Sequence, residues 1–438
     1  MSNLRNRYPI LLSISLLWAY CCSAQTRIIP PTAWLQEQAI PLNNRDPGVS
    51  RLATLLSASR VIGLGEATHG QHESFDLKRR ATMELVRHHG CRTVAYEASA
   101  SKARACNDYI QGRTDDRAAA MRGFGMLIWA VEENAALLDD LRAWNAAAAP
   151  ADRVRFIGFD AQDGEAVVER IGGLIRDTAM TGRLNALLER AGGAMQQLFQ
   201  GDRRAFEALG SDLDRLERDF GTVKLPHQDE QAELLLRATE LRAHILMYAT
   251  PGGRDKAMAD LLLAQLGTDE KCVVWAHNGH VKRSALDYLG TEELAMGGHL
   301  ANALHMDYYA LGFAFGYGDF QANAPDSTGR WGFKRYHHTA LASGSLEADL
   351  AATGLGDLAV DLRSAPPDTT VQRWLTTPHG QRWWGGYNVP DDCDERTRDA
   401  SQLMPMTPAN DFDGLVFFAR TTAAVPVDRS RIIPSHRD

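Results

Sequence analysis

The chain contains no G-x-S-x-G segment, only six cysteines in 438 residues, and no excess of basic side chains. The first absence removes the serine nucleophile elbow of α/β-hydrolases; the nearest look-alike, "ASGSLE", falls in a loop region. The scarcity of cysteine excludes a small disulfide-stapled scaffold. Cys91, Cys106, Cys272 and Cys393 match no zinc-binding spacing, and an oxidising compartment would allow them one or two disulfides. Lysine and arginine number 47 against 55 aspartates and glutamates, a formal charge of −8, which argues against nucleic acid or an anionic membrane as partner. Long apolar runs are also lacking: Ile10 to Tyr20 is too short to span a bilayer comfortably.

That run follows Arg5 and Arg7 and precedes Cys22-Ser23-Ala24, the arrangement of a secretory signal peptide cleaved after Ala24. The expected location is therefore secreted or periplasmic. A retained lipid anchor on Cys21 or Cys22 is disfavoured by the bulky Trp18 and Tyr20 before them. Cleavage removes two arginines and takes the formal charge from −8 to −10. With 45% hydrophobic and 23% charged residues, the chain has an ordinary globular composition and the length for a large core.

Short apolar runs alternate with helical stretches. Strands are predicted at Arg60–Leu64, Thr93–Glu97, Arg155–Phe159, Cys272–Ala276, Tyr308–Phe315, Leu358–Asp361 and Gly414–Ala419. Several are continuous apolar runs, as in strands buried on both faces, and helical segments separate the first four. The expected fold class is α/β: three layers, with a mostly parallel sheet that becomes mixed towards the C-terminus and helices on both faces. Residues 165–266 contain no strand pattern and repeat helical periodicity, as in "AELLLRATELRAHILMYA", so an all-helical insertion is expected inside one domain spanning 25–438. It serves either as a packed side layer or as one wall of a substrate cleft. The segment "TTAAVPVDRSRIIPSHRD" is expected to be a loose tail.

Ligands of open α/β sheets bind beyond the carboxyl ends of the strands. There the sequence places Glu66, Thr68 and His69 after the first strand, Glu97 after the second, Asp160 after the third, and His277, Asn278 and His280 after the fourth. A single polar residue at a strand end is usually a cap or turn former; four strand ends in a row point to catalysis. Thr68 and Gln71 have the spacing of a capping box, which predicts a helix start there and puts His69 in its first turn, where the helix dipole disfavours imidazolium. A neutral His69 suits a general base, and Glu66 would fix its tautomer. Glu97 would help hold the water or accept its proton onward, and His277 and His280, with Asn278, would donate to a developing oxyanion, with protonation of the leaving alkoxide as the alternative for His280. Structural readings compete, with Glu66 and His69 as helix caps and the other histidines as capping or core residues. A metal site drawn from Glu66, His69, His72, Glu73, His277 and His280 lacks the H-E-x-x-H spacing.

The segments "LGEATHGQHE", "VAYEAS", "FIGFDAQ", "RDKAMA", "VVWAHNGHV" and "RWWGGYNVP" follow one another in an order that resembles the erythromycin esterase family over about residues 50–425. The resemblance implies hydrolysis of a macrolactone ester by histidine-activated water, with no metal or other cofactor required and a possible role in macrolide resistance. It carries over His69, Glu66, Glu97, His277 and His280 as the catalytic set. One departure stands out: where similar proteins have an arginine on the first helix, this chain reads "HESFDLKRR", so Lys78 or Arg79 must stand in, or the substrate differs. Lys78, Arg79, Asp160, Arg254 and Asn278 are the candidate substrate-binding residues. Arg254-Asp255 could brace the site or simply form a surface N-cap pair, and Trp383, Trp384 and Tyr387 could line the cleft or fill the core. The expected partner is a small ester or lactone. A metal-dependent hydrolase of another bond and a non-catalytic envelope binding protein are the alternatives.

Overall fold

The computed structural model describes residues 28–42, 46–199, 202, 204–250, 252–286, 292–325, 331–367, 369–383, 403–428 and 432. The signal-peptide reading, Trp384, Tyr387 and Cys393 lie outside these residues. The strands are β1 (Ile40–Pro41), β2 (Val61–Leu64), β3 (Thr93–Ser99), β4 (Arg155–Asp160), β5 (Cys272–Trp275), β6 (Tyr308–Pro325), β7 (Trp331–His338), β8 (Leu358–Asp361), β9 (His379–Arg382), β10 (Leu403–Met406) and β11 (Gly414–Thr421). All seven predicted strands are present; β1, β7, β9 and β10 carry no run of apolar residues that would have announced them.

The main sheet has the order β1-β8-β11-β6-β2-β5-β3-β4, with β7 paired to β6. The six strands from β11 to β4 are mutually parallel, whereas β8, β1 and β7 join antiparallel. Alternation along each strand divides the core in two: Val94, Tyr96, Val273 and Trp275 pack into the cluster on one face, and Ala95, Cys272 and Val274 into the cluster on the other. Helices cover both clusters, which gives the expected three layers.

Helices Gly164–Ile175, Thr178–Phe199, Arg204–Thr222 and Gln228–Leu246 enclose a third apolar cluster of their own, with Leu184, Leu209, Leu213, Phe220 and Leu241 at its centre. The following helix, Gly253–Ala264, instead returns Met258, Ala259 and Leu262 to the sheet. A buried polar knot fastens the four-helix body to the end of β3. Glu240 accepts from Ser101 N (2.9 Å), Ser101 Oγ (2.7 Å), Ser99 Oγ (3.2 Å) and Arg237 Nη1 (2.6 Å). Every donor on this carboxylate comes from a buried residue, so losing one would expose the cost of an unsatisfied charge.

Two local expectations are overturned. The helix after β2 begins at His72, with Gln71 as a cap whose side chain makes no capping bond, so His69 lies in a turn before the helix and Thr68 caps nothing. The competing partner is the C-terminal segment. Ala424 N donates to Gly70 O (3.0 Å), Gln321 N donates to the same carbonyl (3.0 Å), and Gln71 forms a bridge with Ala423. A Cβ on Gly70 would lie 1.8 Å from Gln321 O, so only glycine permits this approach. The beginning of the expected loose tail is therefore structural: Glu132 N donates to Val425 O (2.8 Å) and Val427 N to Ala130 O (3.0 Å). Cys91, Cys106 and Cys272 are buried free thiols. Among the described residues no helix is long and apolar enough to cross a membrane.

Candidate active site

The ends of β2, β5, β3 and β4, four neighbouring strands, bring Glu66, His69, Glu97, Asp160, His277 and His280 together. Glu66 sits between two partners. Its Oε1 meets His69 Nδ1, and its Oε2 accepts from Lys78 Nζ at 2.5 Å. A carboxylate on Nδ1 requires the proton there, so in the neutral tautomer the lone pair is on His69 Nε2. Burial pushes the Glu66 carboxyl up, but Lys78 and His69 outweigh it and hold it at about 2. Burial draws the Lys78 ammonium below the ordinary lysine value, against the pull of Glu66. The two partners thus favour and disfavour the ionic pair respectively. The Glu66 direction is the firmer, because donors occupy both of its oxygens.

Lys78 is not a substrate contact. Its side chain is fully buried, with Nζ 4.7 Å from the Trp275 ring centroid, and it braces Glu66 from behind. Arg79 is turned away from the site and pairs with Asp76 of its own helix (2.9 Å) and Asp140 of helix Glu132–Ala147 (2.6 Å). The single ammonium of Lys78 reaches one carboxylate oxygen, where a guanidinium would offer a fork.

The β5 end is held by a different set. His277 N donates to Glu97 Oε2 (2.8 Å), and His277 Nδ1 accepts from Gly279 N (3.1 Å). The His277 proton is therefore on Nε2, a buried atom that makes no well-aligned hydrogen bond among the described residues. Burial, with repulsion from His69 and His280, holds the pKa of His277 well below the ordinary value, outweighing Glu66 and the Ala67 carbonyl. The His69 and His277 rings are neighbours, tilted by 58° with centroids 5.2 Å apart. Trp129 closes one side, edge-on to His69 at 5.5 Å, and Trp383 another, edge-on to His277 at 4.7 Å.

Asn278 does not face a ligand. Its Nδ2 donates to Phe313 O (2.7 Å) and its Oδ1 accepts from Phe313 N (3.0 Å), so its amide pairs with β6 as a backbone residue would. Glu97 sits in a bulge, since Glu97 and Ala98 span the interval that Phe159 alone occupies on β4. Its second oxygen lies 3.4 Å from His280 Nε2 and 3.3 Å from Arg254 Nη2. Both oxygens are engaged by protein groups, which makes Glu97 a scaffold for the histidines and the guanidinium rather than the holder of a water. Arg254 is no surface cap: Gly252 occupies that position, and the guanidinium reaches Asp160 Oδ2 at 2.6 Å. Burial lowers the Arg254 pKa, but Asp160 and Glu97 raise it further.

Two of the metal candidates, His72 and Glu73, lie apart from the cluster. His72 Nδ1 lies 2.7 Å from Glu133, and Glu73 accepts from Thr422 N and Oγ1. No three His, Cys, Asp or Glu side chains among the described residues form a ligand set. A cleft of about 820 Å³ runs between the sheet body and helix Gly164–Ile175, with Ser101, Met121, Met126, Leu127, Ala130 and Arg170 among its walls. Its walls include none of the clustered histidines and carboxylates; in sequence they come nearest at Ala130, beside Trp129, and at Ser101, four residues after Glu97. Sequence reasoning missed Trp129, which has no distinguishing local signal, and for Asp255 left open a choice between bracing the site and capping a helix.

The erythromycin esterase family model matches residues 86–421. A curated relative, erythromycin esterase type II of Escherichia coli, is 25% identical over 387 residues, covering 76% of this chain and 89% of that protein. Among solved structures, a Bacillus cereus protein superposes with a TM-score of 0.73 at 22% identity, covering 91% of this chain and 98% of its own. The open conformation of a histidine-to-asparagine variant of erythromycin esterase EreC superposes with a TM-score of 0.62 at 16% identity, covering 88% of this chain and 96% of that one. The family match extends over most of the chain and includes the ends of β3, β4 and β5, and by it this protein belongs to the erythromycin esterase family.

Proposed function

We propose that this hydrolase opens a carboxylic ester within a lactone, with a macrolide-type macrolactone as its substrate class, using a water activated by His69. The observation that carries the reading is the opposition of two differently prepared imidazoles. Neutral His69, fixed on Nδ1 by Glu66, offers a lone pair on Nε2, while His277, fixed on Nδ1 by Gly279, offers an N–H that no well-aligned acceptor holds. A water and a carbonyl in the space that both rings border would meet a base at one ring and a donor at the other.

His69 Nε2 takes a proton from water, and the oxygen attacks the carbonyl carbon. The oxyanion that forms is held by His277 Nε2–H in a low-dielectric site, where one such donor counts for more than in water. Collapse breaks the ester C–O bond and releases the alkoxide towards the Glu97–His280–Arg254 side. The Escherichia coli relative is named for erythromycin, which supports a macrolide as the substrate class. With the signal-peptide reading of residues 1–24, the enzyme would act outside the cytoplasm, where a macrolide could be destroyed before entry.

Incubating the mature protein with macrolides and simple lactones should add one water to at least one of them by mass, and His69→Ala should abolish this. No hydrolysis across the panel, or unchanged turnover by His69→Ala, would overturn the reading.

A further inference from the structure

The site contains a second histidine–carboxylate pair that the sequence motifs do not announce. His280 Nδ1 lies 2.8 Å from Asp255 Oδ1, and the same oxygen accepts from Met296 N at 2.9 Å. Asp255 is buried and its pKa is depressed; burial opposes this, but His280 and the Met296 amide prevail. Asp255 reaches the site from the first turn of helix Gly253–Ala264, next to Arg254, and the helix carries both charged groups inward. Around His280 stand Glu97 from β3, Arg254 and Asp255 from this helix, Asp160 behind Arg254, and His277 from its own turn.

We infer that Asp255 is a positioning residue that turns His280 into the proton donor for the leaving alkoxide, dividing the labour between His277 and His280. The assignment rests on the ester-hydrolase reading above. Asp255 fixes a proton on His280 Nδ1 and directs Nε2 towards Glu97 and Arg254. His277 and His280 are three residues apart but oppositely prepared. His277 is kept neutral by burial and by the neighbouring imidazoles. In His280, burial also favours the neutral ring, yet Asp255 and Glu97 overcome it and raise the pKa. A neutral N–H suits an oxyanion, and an imidazolium suits a departing alkoxide.

When the tetrahedral intermediate collapses, the C–O bonding pair moves to the alkoxide oxygen, and the proton on His280 Nε2 moves to the same atom to give the alcohol. His69 has by then taken one proton from water. Each turnover closes when His69 loses that proton to solvent and His280 regains one from it. The device matters for alkyl esters and lactones, whose alkoxides are poor leaving groups. It matters little for an aryl ester that departs as a stabilised phenolate.

The test compares a simple alkyl lactone with a 4-nitrophenyl ester in the wild type, Asp255→Asn and Asp255→Glu. Asp255→Asn should lose about 100-fold in kcat on the lactone and only a few-fold on the aryl ester, within the usual range of general-acid contributions. The sign of the pH effect follows from the raised pKa: a required imidazolium is lost as pH rises through its pKa. Removing Asp255 therefore moves the alkaline limb of kcat/KM on the lactone to lower pH. Asp255→Glu, which keeps the charge, should restore that limb in part, and it carries the comparison alone if the asparagine variant does not fold. Equal losses on both esters, or an unmoved alkaline limb, would show a merely structural role and overturn the assignment. Failure of the wild type on both esters would overturn the hydrolase reading and the assignment together.

Discussion

Replacing Lys78 by methionine tests how the base is held. The ammonium is buried, 2.5 Å from Glu66 Oε2, and lies against the faces of Trp275 and Phe75. Methionine fills a similar apolar volume and leaves Glu66 charged, buried and short of one partner. The Glu66 carboxyl is held at about 2 against an ordinary 4.5. At about 1.4 kcal/mol per unit this corresponds to roughly 3 kcal/mol, similar to the ~3–5 kcal/mol cost of breaking a buried pair from one side. A depressed carboxylate contributes stability that is complete above its unfolded pKa and is lost as pH falls through its folded one. The deficit of Lys78→Met should therefore be full at pH 7 and should close as the pH falls from about 4.5 towards about 2. The assay is equilibrium urea unfolding across that range, with Glu66→Gln and the double variant completing a cycle. The double variant removes both charges and should recover most of the loss, since a buried pair is often replaceable by apolar groups at little net cost. A coupling energy below about 0.5 kcal/mol, or a deficit that does not depend on pH, would refute the argument.

Two further outcomes are expected. His277→Phe removes the Nε2–H and should lower kcat by about 10²–10³-fold with little change in KM; nitrogen NMR of the wild type should show this ring neutral at pH 7 with its proton on Nε2, and a charged ring would contradict the oxyanion role. Gly65→Ala places a methyl 2.2 Å from Asn278 Oδ1 and 2.9 Å from Leu311 O. It should cost about 1–3 kcal/mol and lower kcat by displacing the His277 turn, whereas an unchanged Tm and rate would show that the turn has slack.

The sheet was legible because its strands are buried on both faces and therefore read as unbroken apolar runs, as in "CVVW" and "TVAYEAS". The five principal site residues were legible because they lie within a few positions of those runs. What local sequence could not show were interactions closed over long distances. Nothing near Thr68 reveals that Gly70 is claimed by Gln321 and Ala424, and this claim delays the helix to His72. Asp255 in a first helical turn looks like any acidic cap until Met296 and His280 are brought beside it. Lys78 is a missed signal of a different kind. It shares a helical face with Phe75, Thr82 and Leu85, all buried, and that spacing marked it as interior.

The order of strands bears on how the enzyme is made. β2, which delivers Glu66 and His69, bonds in the sheet only to β5 and β6. Its first partner leaves the ribosome roughly two hundred residues later, a wait on the order of 10–40 s at common synthesis rates. Through that interval the nascent chain carries "VIGL" with both edges open. Any chain interrupted before Cys272 would contain the base yet have no sheet in which to seat it.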